Sequence, residues 1–187
     1  ALEYNVKAVF TNHDYEPYAR DRDNEIETLC RQRGIAFHSF KDQVIFEKDE
    51  VIKSNGEPYT VFTPYSILWK KKLSGENDFA SFNTKKYFGN FLAAKFPFPS
   101  LKSIGFKENR TYLPEPSIDK KIISNYHLYR NELHPGQTTH VSLHLRFGTV
   151  SVRKVAKAAL KLNEKYLDEL IWREFFMQVL WYFPHVA

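Results

Sequence analysis

Chemistry concentrates in the second half of the chain. Thr138, Thr139 and Ser142 set three hydroxyls around His140 and Val141, with seven residues between them and the spaced pair Tyr126 and Arg130. Where such a cluster opens a helical turn, its hydroxyls and backbone N–H groups can meet a phosphate. The same pattern also serves ordinary helix capping. A second run, Tyr166-Leu-Asp-Glu-Leu-Ile-Trp-Arg-Glu-Phe-Phe176, places Glu169, Trp172 and Phe176 on one face of a helix, with Arg173 beside Trp172. A carboxylate, an indole and a guanidinium facing one cavity can accept hydrogen bonds, stack on a flat ring and bind phosphate. In most helices these residue types amount to a core tryptophan and an exposed ion pair. Other chemistries find no support. His140 and His144 stand four apart with no cysteine or carboxylate near them, HExxH is absent, and so are GxGxxG and GxxxxGK[ST]. A metal site is therefore not expected.

Charge points the same way. From Lys120 to Lys161 there are eight lysines or arginines and one acid, Glu132, with His127, His134, His140 and His144 among them. Such a stretch attracts polyanions through a field that salt screens, although a solvated basic helix face reads alike. The chain is 43% hydrophobic and 16% aromatic, which excludes a disordered tail. Its single cysteine, Cys30, excludes an internal disulfide framework and fits a reducing compartment; a bacterial cytoplasm and a monomer are separate expectations. The longest apolar run, Phe175 to Phe183, is broken by Gln178 and too short to span a bilayer. The chain opens on Ala1 with no signal-like segment, which leaves targeting unassigned.

The elements that must position these groups fall into three stretches. Residues 1–58 read as α/β: a strand over Val6–Thr11, a helix opened by Pro17 and stopped by Gly34, and a strand over Ala36–Phe40. Strand, helix and strand imply a parallel sheet, of which this much is only an edge. In residues 59–116, Thr63 can cap a helix with Pro64 at its first position. The rest of that stretch, from Ser74 to Pro116, lacks a sustained period and reads as a long connector packed by its aromatics. Residues 117–187 read as all helical. Ser117 can cap one helix and Ser151 another, and a last helix from about Lys165 to Phe183 is apolar nearly all round and should be deeply buried.

Four segments carry a family resemblance. The run Asp168-Glu-Leu-Ile-Trp-Arg-Glu-Phe175 is similar to the NELIWREF signature of the photolyase/cryptochrome family. Tyr126-xxx-Arg130 followed by Thr138–Ser142 resembles that family's flavin-binding entry. Asn12-His-Asp-Tyr-Glu-Pro-Tyr-Ala-Arg20 and Val61-Phe-Thr-Pro-Tyr-Ser66 resemble its N-terminal domain and the exit from it. They occur in the family's order along nearly the whole chain.

The resemblance implies the end of an N-terminal parallel-sheet α/β antenna domain (1–58), a domain exit and connector (59–116), and the beginning of a helical FAD-binding domain (117–187). It implies light-driven repair of cyclobutane pyrimidine dimers, in which reduced FAD gives an electron to a lesion flipped out of DNA. Tyr126, Thr138, Thr139, His140, Val141, Ser142, Tyr166 and Arg173 match flavin contacts. Arg130 matches a DNA phosphate contact. Glu169 and Trp172 match lesion-facing residues, the carboxylate stabilising the dimer radical anion and the indole stacking on the flipped bases; Arg173 and Phe176 share that DNA-facing side. Asp168 stands where Asn is commoner. Family members that use a folate antenna carry Asn-Glu directly before the position of Arg20, where this chain has Tyr18 and Ala19. Folate is therefore not expected, and another antenna chromophore or none is. Family segments before Ala1 and after the last helix are missing here, so the resemblance implies an inactive fragment. A cryptochrome light receptor, a six-four photolyase and a flavin-free basic nucleic-acid module are the rival readings. Glu169 beside Trp172 favours repair over signalling.

Overall fold

A computed structural model of the chain describes residues 4–73, 76–80, 82–93, 97–107, 112–115, 118–132 and 136–186. Strand β1 is Ala8–Asn12 and strand β2 is Ala36–Phe40. Between them α1, Pro17–Gln32, starts on Pro17, where the missing N–H has no intrahelical partner to lose. The helix stops because Gly34 turns left-handed at φ +66°, which lets Ile35 donate back to the Cys30 carbonyl at 2.9 Å. That reversal brings β2 alongside β1 in parallel, from Ala8 opposite Ala36 to Asn12 opposite Phe40. The α/β reading of this stretch holds, with β1 beginning at Ala8 rather than Val6.

Helix α2, Phe62–Lys72, begins earlier than the sequence indicates, and Val61 caps it without a side-chain bond. Thr63 is thus inside the helix, and Pro64 sits in the first turn, where N–H groups lack partners. The connector differs more. Its described residues form short 3₁₀ turns, Glu76–Phe79, Thr84–Asn90 and Lys102–Ile104. Phe79 is buried, but Phe82, Phe91, Phe98 and Phe106 are exposed. Aromatic packing in the connector is thus partial: Phe79 joins the core and the Phe88 and Phe91 rings meet at 5.3 Å, while turns of this length lay down no apolar stripe for the other rings to join.

Helix α3, Lys120–Tyr129, is capped by Asp119, whose carboxylate accepts from the N–H groups of Lys121 and Ile122. Ser117, the cap the sequence suggests, and His134 lie outside the described residues. Helices α4 (Val141–Arg146), α5 (Val152–Leu162) and α6 (Glu164–Tyr182) follow. Ser151 does occupy the N-cap of α5, although its hydroxyl makes no capping bond. The main core joins Tyr65 and Trp69 of α2, Ile123 of α3, Val155 and Ala159 of α5, and Leu167, Ile171 and Phe175 of α6. Helix α6 buries one face only, through Leu167, Leu170, Ile171, Glu174, Phe175 and Gln178, while Phe176 is 57% exposed. The expected all-round burial fails because its neighbours pack against that single face.

Candidate functional site

Helices α3 and α6 are tied together by Asn163. Its Oδ1 caps α6 by accepting from the Tyr166 N–H at 3.2 Å, and its Nδ2 donates to the Ser124 carbonyl at 2.9 Å. The same amide reaches His127 Nδ1 at 2.8 Å. One side chain therefore sets where α6 starts and how α3 lies against it.

That alignment brings five of the sequence-nominated residues together. The Tyr126 and Tyr166 rings meet edge to face at 5.1 Å. The Tyr166 hydroxyl lies 2.7 Å from that of Thr139. Glu169 pairs with Arg130 at 3.0 Å, and the Arg130 guanidinium sits 5.6 Å from the Tyr126 ring centre. Burial raises the Tyr126 hydroxyl above its ordinary value, and the Glu169 charge beside it adds to the effect. Burial likewise raises Tyr166. Both tyrosines are neutral, offering hydroxyls from an otherwise aromatic wall.

The hydroxyl segment edges this wall. His140 holds a left-handed backbone at φ +51° immediately before α4, and the Thr138 hydroxyl contacts its ring at 3.0 Å. Val141 is buried in the core, so only its backbone faces outward chemistry, whereas Ser142 is exposed. His144 anchors the segment from beneath, with Nδ1 2.8 Å from the Thr149 hydroxyl and Nε2 2.8 Å from the Pro114 carbonyl.

Trp172 continues the same face of α6 one turn past Glu169. Its indole stacks on Phe62 at 3.7 Å and 6° between planes, with Phe176 at 5.5 Å. Phe62 thus covers an indole face that the sequence left open. Arg173 is not brought to the cluster. It donates to the Gln43 carbonyl at 2.6 Å and reaches the Leu145 carbonyl at 3.5 Å, which commits its guanidinium to the junction with the chain after β2. Asp168 pairs with Lys70 of α2 at 2.6 Å, so a carboxylate is well used where the family more often has an amide.

Glu174, which the sequence reading passed over, is 2% exposed. Its carboxylate accepts from the N–H groups of Ile45 at 2.5 Å and Phe46 at 3.2 Å, and from the Trp69 indole at 2.6 Å. Desolvation raises it to about 7, against the opposing pull of those donors. Its position inside the signature run was the only available signal, because its partners lie far away in sequence.

Among the described residues, no group of three or more histidines, cysteines or acids could hold a metal ion. No helix among them is long and apolar enough to cross a membrane.

Comparison with known proteins agrees with the resemblance. A family model described as DNA photolyase matches residues 1–84. The deoxyribodipyrimidine photo-lyase of a Synechococcus strain is 26% identical over the whole chain. The crystal structure of a bacterial class III photolyase from Agrobacterium tumefaciens superposes with a TM-score of 0.74 at 20% identity, covering 99% of this chain and 43% of its own. An archaeal photolyase from Sulfolobus tokodaii, described with two FAD molecules, superposes with a TM-score of 0.59 at 22% identity over 97% of this chain and 40% of its own. The chain spans 44% of the length of the Synechococcus relative.

Proposed function

Because this chain is similar to deoxyribodipyrimidine photo-lyases along its length and residues 1–84 match the DNA photolyase family model, we propose that it supplies one wall of the flavin and lesion cavity of a light-driven enzyme that repairs cyclobutane pyrimidine dimers in DNA. Residues 1–58 then close an antenna domain, 59–116 leave it, and 117–187 open the helical FAD domain. The observation that carries this reading is the convergence of Tyr126, Arg130, Thr139, Tyr166 and Glu169 on one wall, from two helices and a loop.

The residues present suit FAD. A flat ring system and a pyrophosphate need aromatic surface and neutral donors, and the Tyr126–Tyr166 pair with the Thr139 hydroxyl provides both. Thr138 and Ser142 add hydroxyls at the edge, beside the His140 turn. Held by these residues, reduced FAD would supply the electron that opens the dimer. The chain's own groups do the rest. Arg130 offers a cation to a DNA phosphate, exchanging it for Glu169. Glu169, freed of that partner, turns its carboxyl group to a carbonyl oxygen of the lesion, where only its O–H form can donate a hydrogen bond as negative charge develops. Trp172, backed by Phe62, gives the flipped bases a rigid apolar surface that excludes water.

The test is the full-length protein's visible absorption and its light-dependent removal of dimers from irradiated DNA. Flavin colour together with repair under blue light is the expected result. A colourless protein that does not take up added FAD would defeat this reading.

A further inference from the structure

A second constellation lies at the carboxyl ends of β1 and β2, the end at which open α/β sheets take ligands. Ser39 Oγ stands 3.0 Å from His13 Nε2, and His13 Nδ1 stands 2.8 Å from Glu47 Oε2. The opposite nitrogens of one imidazole thus join a hydroxyl and a carboxylate, which is the geometry that activates a serine. We propose that Ser39, His13 and Glu47 form a hydrolytic site for small carboxylic esters, a function that needs nothing from the flavin reading.

Each group is held by its own support. The His13 N–H donates to the Phe40 carbonyl at 2.8 Å, which extends the parallel ladder past β1 and turns the ring back over Ser39. Glu47 accepts from the Tyr15 hydroxyl at 2.5 Å and from the backbone of the 3₁₀ turn Lys48–Val51 that it caps. Burial works to raise Glu47, but the bonds from Tyr15 and His13 prevail and hold it below the usual carboxylate range. It is therefore an anion, able to orient His13 and to balance an imidazolium. Lys48 Nζ, 3.4 Å from Nδ1, opposes that charge, so the Glu47 bond must outweigh it. Ser39 is exposed and opens onto a cavity of about 250 Å³ that Arg20, Lys48 and Trp181 also line. Arg20 and Lys48 sit 4.0 and 4.6 Å from the Trp181 ring centre. Lys48 keeps a left-handed backbone at φ +47°, with Gln178 donating to its carbonyl at 2.9 Å. Strain held in place beside a reactive pair is a feature of functional sites. The cavity is mixed in charge, since Asp14, Asp23 and Glu27 line it with Arg20 and Lys48, so the cation available to a developing oxyanion is Lys48, which lies beside His13.

The proposed step balances as follows. His13 Nε2 takes the Ser39 hydroxyl proton while Oγ bonds to the ester carbonyl carbon. The C–O bond to the alcohol then breaks, and His13 returns the proton to the leaving oxygen. Water repeats the sequence on the acyl-serine, releasing the acid and restoring Ser39.

The experiment treats the intact protein with a fluorophosphonate, which loses fluoride as it bonds to an activated serine, and maps the adduct by peptide mass spectrometry. Turnover of 4-nitrophenyl acetate is followed in parallel. One phosphonyl group on Ser39 is expected. His13→Gln should slow labelling by about a hundredfold or more, the range of a lost general base, and Ser39→Ala should abolish ester turnover. No adduct at Ser39 in the unaltered protein overturns the proposal, as does labelling at an unchanged rate in His13→Gln or ester turnover that survives Ser39→Ala. The unaltered protein is read directly, so misfolding of a variant cannot hide a negative result.

Discussion

Arg130 Nη1 lies 3.0 Å from Glu169 Oε1, so the residue assigned to DNA phosphate and the residue assigned to the lesion hold each other when no DNA is bound. Each side chain is about a third exposed (37% and 36%). A pair this open to solvent contributes ~1 kcal/mol or less. On the proposed reading, a DNA phosphate displaces Glu169 from Arg130 at small cost, and the same event releases the carboxyl group for the lesion.

Arg130→Ala should accordingly leave the melting transition nearly unchanged while weakening damaged and undamaged duplex alike. The log–log salt dependence of binding should become shallower by about one unit. Titrations at several salt concentrations check this. A slope identical to that of the parent would confine Arg130 to its bond with Glu169.

Glu174 makes stability depend on pH in an unusual direction. Its ordinary value is 4.5, and desolvation in the fold raises it to about 7. Between those values the folded protein keeps a proton that the unfolded chain has released. Stability from this group is therefore full at low pH and declines as pH rises from about 4.5 to 7, by roughly 3 kcal/mol across the window. Denaturant melts of the parent and Glu174→Gln at about pH 5 and 7.5 should differ in this slope, with the variant flatter. Parallel curves would show that the buried carboxylate does not titrate there.

Asn163→Ala should cost more than a lost cap. The cap alone is worth ~1–2 kcal/mol, and the same side chain also positions Ser124 and His127 of α3. Asn163→Asp keeps the accepting oxygen for the Tyr166 N–H but loses the Nδ2 donor, so its melting temperature should fall between parent and alanine. If loss of the α3 tie misplaces Tyr126 against Tyr166, both variants should also bind FAD more weakly. Equal melting of the aspartate variant and the parent would leave Asn163 as a cap alone.

What was legible in the sequence follows the range of the interactions. Helix α1 was readable from Pro17 and Gly34, and β2 from its short apolar run, because local chemistry decides both. Glu169, Trp172 and Phe176 were readable as one helix face because their spacing is helical. Glu174 was not, because the groups that define it, the Ile45 and Phe46 N–H and the Trp69 indole, lie more than a hundred residues away. Arg173 looked like a partner of Trp172 from helical position, yet tertiary contacts turn it to the Gln43 and Leu145 carbonyls. His13, Ser39 and Glu47 are scattered residues until the parallel register assembles them.

Trp172 and Glu169 should act on a lesion by different physics. Stacking of a base on an aromatic ring is worth about 1–3 kcal/mol, so Trp172→Ala should weaken discrimination of dimer-containing DNA by roughly ten- to a hundredfold. Phe62 lies flat against the same indole at 3.7 Å, so Phe62→Ala should loosen the ring and produce a milder loss of the same kind, because the stacking surface survives but its orientation does not. Glu169 presents a carboxyl hydrogen bond where negative charge develops, so Glu169→Ala should chiefly lower splitting per absorbed photon, with little loss of affinity. Trp172 and Phe62 pack with Phe175 and Phe176 rather than with the Tyr126–Tyr166 pair, so these two variants should keep flavin. The measurement pairs lesion-DNA affinity with repair per absorbed photon in the full-length protein. Loss of affinity in the Trp172 and Phe62 variants together with loss of yield in the Glu169 variant is the expected pattern. Parental repair in all three would make this face of α6 a packing surface.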